Sequence, residues 1–104
     1  MADVSKRFGK GKVSNNSDAT VYTVPTGKRA FLKAATLCNP NSTDTTVTIL
    51  LAGVAIVFSH KLKAYDTITI PFLDQIFESG EKLEVLSVGT NGFNYYFSGR
   101  EVDV

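Results

Sequence analysis

An all-β fold, a single antiparallel β-sandwich of seven or eight strands, is what this sequence predicts, and three observations carry the prediction. Short runs rich in β-branched and aromatic residues (Thr20–Val24, Thr45–Leu51, Thr67–Pro71, Phe93–Phe97) recur along the chain. Clusters of Pro, Gly and Asn separate them. No stretch keeps apolar residues at helical spacing for long enough to make a helix. At 104 residues and 11.3 kDa the chain is the size of one domain with one core, with an expected folded surface of about 5,700 Å².

Residues 1–18 read as a flexible basic arm and residues 19–104 as the sandwich. Lys6 to Asp18 is polar and holds Gly9, Gly11 and the run Ser14-Asn15-Asn16-Ser17, a composition that favours a solvated segment. Thr20–Val24 alternates, with Tyr22 and Val24 as the inward pair. Pro25-Thr26-Gly27-Lys28 is a tight turn in which proline sets φ at the first central position. Arg29–Cys38 carries apolar residues on both parities, as expected of a central strand, a bulge, or an outer-face interface. Asn39–Asp44 is a loop, because each residue breaks a ladder or bonds to nearby backbone.

In the next strand Val47, Ile49 and Leu51 face the core, and Leu51–Ala55 forms a hairpin corner leading to a partner strand through Val54, Ile56 and Phe58. After the polar connection His60–Ala64, Ile68 and Ile70 point inward and Pro71 ends the pairing. Phe72–Phe77 fits one helical turn or an irregular strand between sheets. Glu78–Glu81 turns into a strand with Leu83 and Val85 inward, and Gly89-Thr90-Asn91-Gly92 is the strongest hairpin signal, since Asn-Gly supplies two positive φ angles. Phe93–Val104 closes the fold, with Phe93, Tyr95 and Phe97 in the core.

Charge is unevenly placed although the net is +1. Residues 1–33 hold seven Lys or Arg against Asp3 and Asp18, a balance of +5, while residues 34–104 hold four against eight acids, a balance of −4. Lys6, Arg7, Lys10 and Lys12 in the arm are therefore candidate contact residues. A solvated tail is the plain reading of these cations, a docking arm used in assembly is the functional one, and nucleic acid is a disfavoured partner for so few cations. Tyr96, together with Tyr22 or Tyr65, is a candidate aromatic platform for protein or sugar, because tyrosine combines apolar area with a polar tip.

Reactive constellations are not legible. The single Cys38 excludes an internal disulfide and reads as a small buried hydrophobe, and His60 has no pairing with it that would make a nucleophile. Glu78, Glu81 and Glu84 diverge across a turn, and Asp66 and Asp74 have no companion ligands, so no catalytic, cofactor or metal residues are expected and the chain reads as a non-enzyme. Gly9-Lys10-Gly11 lacks the strand and helix of a phosphate loop. The start Met1-Ala2-Asp3-Val4-Ser5 has no apolar core of a signal peptide, and the longest apolar run, Val47–Phe58, is too short to span a bilayer. Synthesis in a reducing cytoplasm, with no membrane partner, is the expectation.

A resemblance adds to this reading. Thr20-Val21-Tyr22-Thr23-Val24-Pro25-Thr26-Gly27-Lys28-Arg29-Ala30, then Leu37-Cys38-Asn39, a Ser/Thr loop, Val47-Thr48-Ile49 and Glu78-Ser79-Gly80-Glu81-Lys82-Leu83 resemble a pattern that recurs in small tailed-bacteriophage proteins encoded near tail and virion genes. It covers roughly residues 20–90. The resemblance implies relatives among siphophage tail accessory proteins and the sandwich "shoulder" domains of receptor-binding proteins. It carries over no functional residue, because the matched turn and glycine positions are structural. The basic arm and the lack of a head domain depart from the receptor-binding pattern. The expectation that follows is a tail-associated virion protein made in the host cytoplasm, contacting other phage proteins or copies of itself. A carbohydrate- or host-receptor-binding module is the alternative, and a capsid decoration protein the third reading.

Overall fold

Nine β-strands, arranged in two antiparallel sheets, make up the regular structure of the computed structural model, which describes residues 3–14, 17–71, 73–87 and 92–104. They are β1 (Asp3–Val13), β2 (Ser17–Thr23), β3 (Lys28–Cys38), β4 (Thr45–Leu51), β5 (Val54–Leu62), β6 (Thr67–Ile70), β7 (Gln75–Glu78), β8 (Lys82–Ser87) and β9 (Phe93–Asp103). One sheet runs β1-β9-β3-β6, with β7 continuing the edge beside β3; the other runs β2-β8-β4-β5. The β-sandwich is therefore as the residue pattern predicts. The exposed surface, 5592 Å², is close to the size expectation.

The core is the meeting of two inward faces. Ala30, Leu32, Ala35, Leu37, Phe77, Phe93 and Phe97 come from the first sheet and Val47, Ile49, Leu51, Leu62, Leu83 and Val85 from the second, all buried. Alternation placed most of these correctly, because a period of two has one apolar parity when a single face is covered. Ile68, Ile70 and Tyr95 pack half-buried against the same core.

The N-terminal segment departs from expectation. Asp3–Val13, within the 1–18 expected as a flexible arm, pairs with β9 from Asp3↔Val102 to Val13↔Phe93. Phe8 and Val13 anchor it in the core. Phe8 stacks on Tyr22 with ring centroids 4.4 Å apart and meets Phe77 edge-on at 5.6 Å. The glycines that suggested flexibility mark close packing instead: a Cβ at Gly9 would lie 2.4 Å from Val21 Cγ1.

Three connections also differ. The Lys28 N–H donates to the Pro25 carbonyl at 3.2 Å, so Pro25 is the first residue of its turn rather than the first central one. β8 and β9 lie in different sheets, so they are not joined as a hairpin. Residues 89–91 of that expected reversal lie outside the described residues. At Gly92, which is described, a Cβ would fall 1.6 Å from the Val13 carbonyl oxygen, so the glycine answers to close backbone approach. The expected corner at Leu51–Ala55 is a true hairpin, with Ala52 (φ 53°) and Gly53 (φ 81°) both left-handed as a two-residue type I′ turn requires.

β3 is the central strand that its mixed parity suggested, and a bulge between Leu32 and Ala34 lets it serve both neighbours. Phe72 lies outside the described residues. The rest of the segment read as a helical turn or irregular strand includes β7, which pairs with β3 from Arg29↔Glu78 to Leu32↔Gln75. β5 is the expected partner strand of β4, paired from Thr45↔Leu62 to Leu51↔Val54, but it runs along the edge. Val54 is 63% and Phe58 77% exposed, because register shifts along β5, with Ser59 at φ 48°, turn this edge strand out of strict alternation. Cys38 is only half-buried, since its row faces outward on the first sheet.

Asn39 holds the loop end together. It is fully buried, and its side-chain N–H groups are shared among the carbonyls of Thr43, Leu62 and Lys63 at 2.9, 3.0 and 3.1 Å. Its Oδ1 accepts from Asn41 N and Nδ2, both at 3.0 Å, and Asn41 Nδ2 reaches the Gly92 carbonyl at 2.8 Å. Three loops are tied by the two amides of Asn39 and Asn41.

Candidate functional site

β1 and β9 position the surface that gathers most of the candidate residues. In an unbroken strand Arg7 and Lys10, three apart, would point to opposite faces. The register shifts between Arg7 and Gly9, so Phe8 is an extra residue turned into the core, and parity resets. Arg7, Lys10 and Lys12 consequently stand opposite Ser98, Tyr96 and Asn94 on the outer face of the sheet.

Tyr96 is the aromatic of this face, 46% exposed, and the Arg7 guanidinium lies 5.8 Å from its ring centroid. Ser5, Lys6, Arg7, Lys33, Tyr96, Ser98 and Gly99 line an open groove of about 470 Å³. The basic segment and the tyrosine, 84 residues beyond Lys12 in sequence, thus form one site.

Of the remaining candidates, Lys6 borders the groove and the two other tyrosines separate from it. Lys6 precedes the bulge, and its ammonium lies 3.6 Å from Glu101 and 5.3 Å from the Tyr22 ring centroid. Tyr22 is half-buried between Phe8 and Phe77, and its hydroxyl donates to Glu101, so it is a packing residue and not an outward platform. Tyr65 is 72% exposed but sits in the turn between β5 and β6, where the Asp66 N–H donates to the Lys63 carbonyl at 3.0 Å. Its φ of 60° is the left-handed conformation that costs a tyrosine about 1–2 kcal/mol.

Electrostatics distinguish the cations of this face from most others. Lys28 pairs with Asp103, Arg29 with Glu78 at 2.7 Å, Lys33 with Asp74 at 2.8 Å and Lys61 with Asp44 at 3.3 Å. The Lys33 ammonium, assisted by Arg100, holds the Asp74 carboxyl below the usual range. The Ala64 N–H and then Lys61 do the same for Asp44, while Glu78 raises the Arg29 guanidinium. Arg7, Lys10 and Lys12 have no carboxylate partner among the described residues. Such a face can attract and orient an anionic partner; it holds no nucleophile–base pair. No group of three metal-ligating side chains occurs among the described residues.

Sequence reasoning missed Lys33, whose bulge position in β3 brings it into the groove, and it missed the exposure of Phe58. The mixed parity of Arg29–Cys38 was the only signal for the first.

No family model and no curated protein matches the sequence. Solved structures match in fold. A chain of the T13 particle of infectious bursal disease virus aligns with a TM-score of 0.58 at 10% identity, over 96% of this chain and 30% of that one. A chain of the T=1 particles derived from the same virus aligns at 0.60 and 10%, over 96% and 31%. The Drosophila NLP core, described for pentamer formation and histone binding, aligns at 0.53 and 17%, over 94% and 100%. The chain spans less than a third of the length of the two viral chains. At these identities the likeness establishes a shared β-sandwich fold.

Proposed function

We propose that this chain is a non-enzymatic structural protein of a tailed-phage particle, associated with the tail, acting by contact with other particle proteins through the outer face of β1 and β9. The observation that carries the reading is the row Arg7, Lys10 and Lys12, unneutralised beside half-exposed Tyr96. Arginine and tyrosine are enriched in protein interfaces, and unpaired surface cations steer an anionic partner. The sequence resemblance to phage virion proteins and the fold shared with virus-particle chains support the particle role.

Particles purified from the phage that carries the gene test it. Mass spectrometry of tail and capsid fractions should find the chain in the tail at stoichiometric level, and Arg7→Glu/Lys10→Glu/Lys12→Glu should lower its incorporation. Absence from particles refutes the reading; presence only in capsids favours a decoration role.

The open groove around Tyr96, with the hydroxyls of Ser5 and Ser98 beside it, favours a second reading as a carbohydrate- or receptor-binding module. Reproducible binding to one host wall sugar on a glycan array, lost in Tyr96→Ala, would establish it. Turnover of a small substrate by the purified chain would refute both.

A further inference from the structure

We propose that the outer face of β1 and β9 docks an extended acidic segment belonging to a different protein. The inference rests on the contact-surface reading above and names its partner. Spacing is the first argument. Lys10 and Lys12 are two residues apart on one strand, about 6.6 Å at the rise of an extended chain, which is also the interval between same-face side chains of an extended peptide. A peptide lying along β1 with acids at alternate positions would meet these cations in register, and Tyr96, opposite Lys10, offers apolar area beside them.

Charge accounting decides among occupants. A second copy offers a diluted acidic surface, because five of the chain's ten acids, Asp44, Asp74, Glu78, Glu101 and Asp103, already face cations of their own chain. Nucleic acid calls for a broadly basic domain, whereas this chain carries net +1 with a pI of about 7.8. A locally basic strip on a near-neutral protein fits a locally acidic partner segment.

The test titrates the full chain against a fluorescein-labelled oligoglutamate peptide as long as β1, 11 residues, by anisotropy at low salt. Saturable binding is expected, abolished near 1 M salt, where the screening length is about 3 Å. Arg7→Glu/Lys10→Glu/Lys12→Glu should weaken it about tenfold or more. Tyr96→Ala should weaken it without changing its salt dependence, and Lys10→Arg/Lys12→Arg should retain it. An oligolysine peptide should bind only the triple variant. The proposal is overturned if wild type fails to bind oligoglutamate, if an oligothymidylate of equal charge binds more tightly, or if the triple substitution abolishes concentration-dependent self-association in light scattering. Particle mass spectrometry reads the structural role separately, so failure of the peptide test would leave that role standing.

Discussion

Replacing Phe8 with alanine asks whether the N-terminal strand is part of the fold or a detachable arm. The ring is 5% exposed, stacks on Tyr22 and meets Phe77 edge-on. A Cβ at Gly99 would come within 2.3 Å of it, so the cavity floor is backbone that cannot close up. Phe→Ala in such a setting costs about 3–5 kcal/mol, a large share of the roughly 5–15 kcal/mol that stabilises a domain of this size. Unfolding entropy of about 2.1 cal/mol/K per residue gives about 0.22 kcal/mol/K for the chain, so Tm should fall by about 14–23 °C. Thermal unfolding followed by far-UV circular dichroism measures it. A drop smaller than about 5 °C would mean that β1 does not share the cooperative core, and the placement of Arg7, Lys10 and Lys12 beside Tyr96 would fall with it.

Other substitutions probe the joints of the structure. Asn39→Asp sets a carboxylate against the carbonyls of Thr43, Leu62 and Lys63 and should cost about 3 kcal/mol or more in urea unfolding, since each buried carbonyl left unsatisfied costs about 1–3. Gly92→Ala drives a methyl into the Val13 carbonyl, backbone that cannot rotate away. Hydrogen exchange should therefore accelerate at the end of β1 before the rest of the sandwich, or the protein should fail to accumulate. Asp44, held below its ordinary value of 3.8 chiefly by the Ala64 N–H, stabilises the fold above about pH 4 and loses that contribution as pH falls through the lowered folded value. The Tm gap between wild type and Asp44→Asn should therefore narrow on acidification from pH 7 to 3, and a gap that stays constant would contradict the assignment.

Much of the sandwich was legible in residue order. Val47, Ile49, Leu51, Leu83, Val85, Phe93 and Phe97 alternate cleanly and are buried, because a strand covered on one face writes its burial into every second residue. The hairpin at Ala52-Gly53 was legible for a similar reason, since turn geometry is a local demand. Gly9 and Gly92 misled, because a glycine that admits a neighbouring chain looks in sequence like one that loosens its own. The candidate site was half legible. Its cations and its tyrosine each stood out, while nothing in either segment recorded that they were neighbours.

Alternation and turn chemistry belong to the chain alone, since each depends on residues within a few positions of one another. The union of Arg7, Lys10 and Lys12 with Tyr96 belongs to the tertiary structure: one bulge at Phe8, stable only because that ring is buried between Tyr22 and Phe77, reverses the parity of everything before it. Side-chain direction along a strand is a running count, and a single inserted residue changes the count only where long-range packing compensates the lost ladder bond.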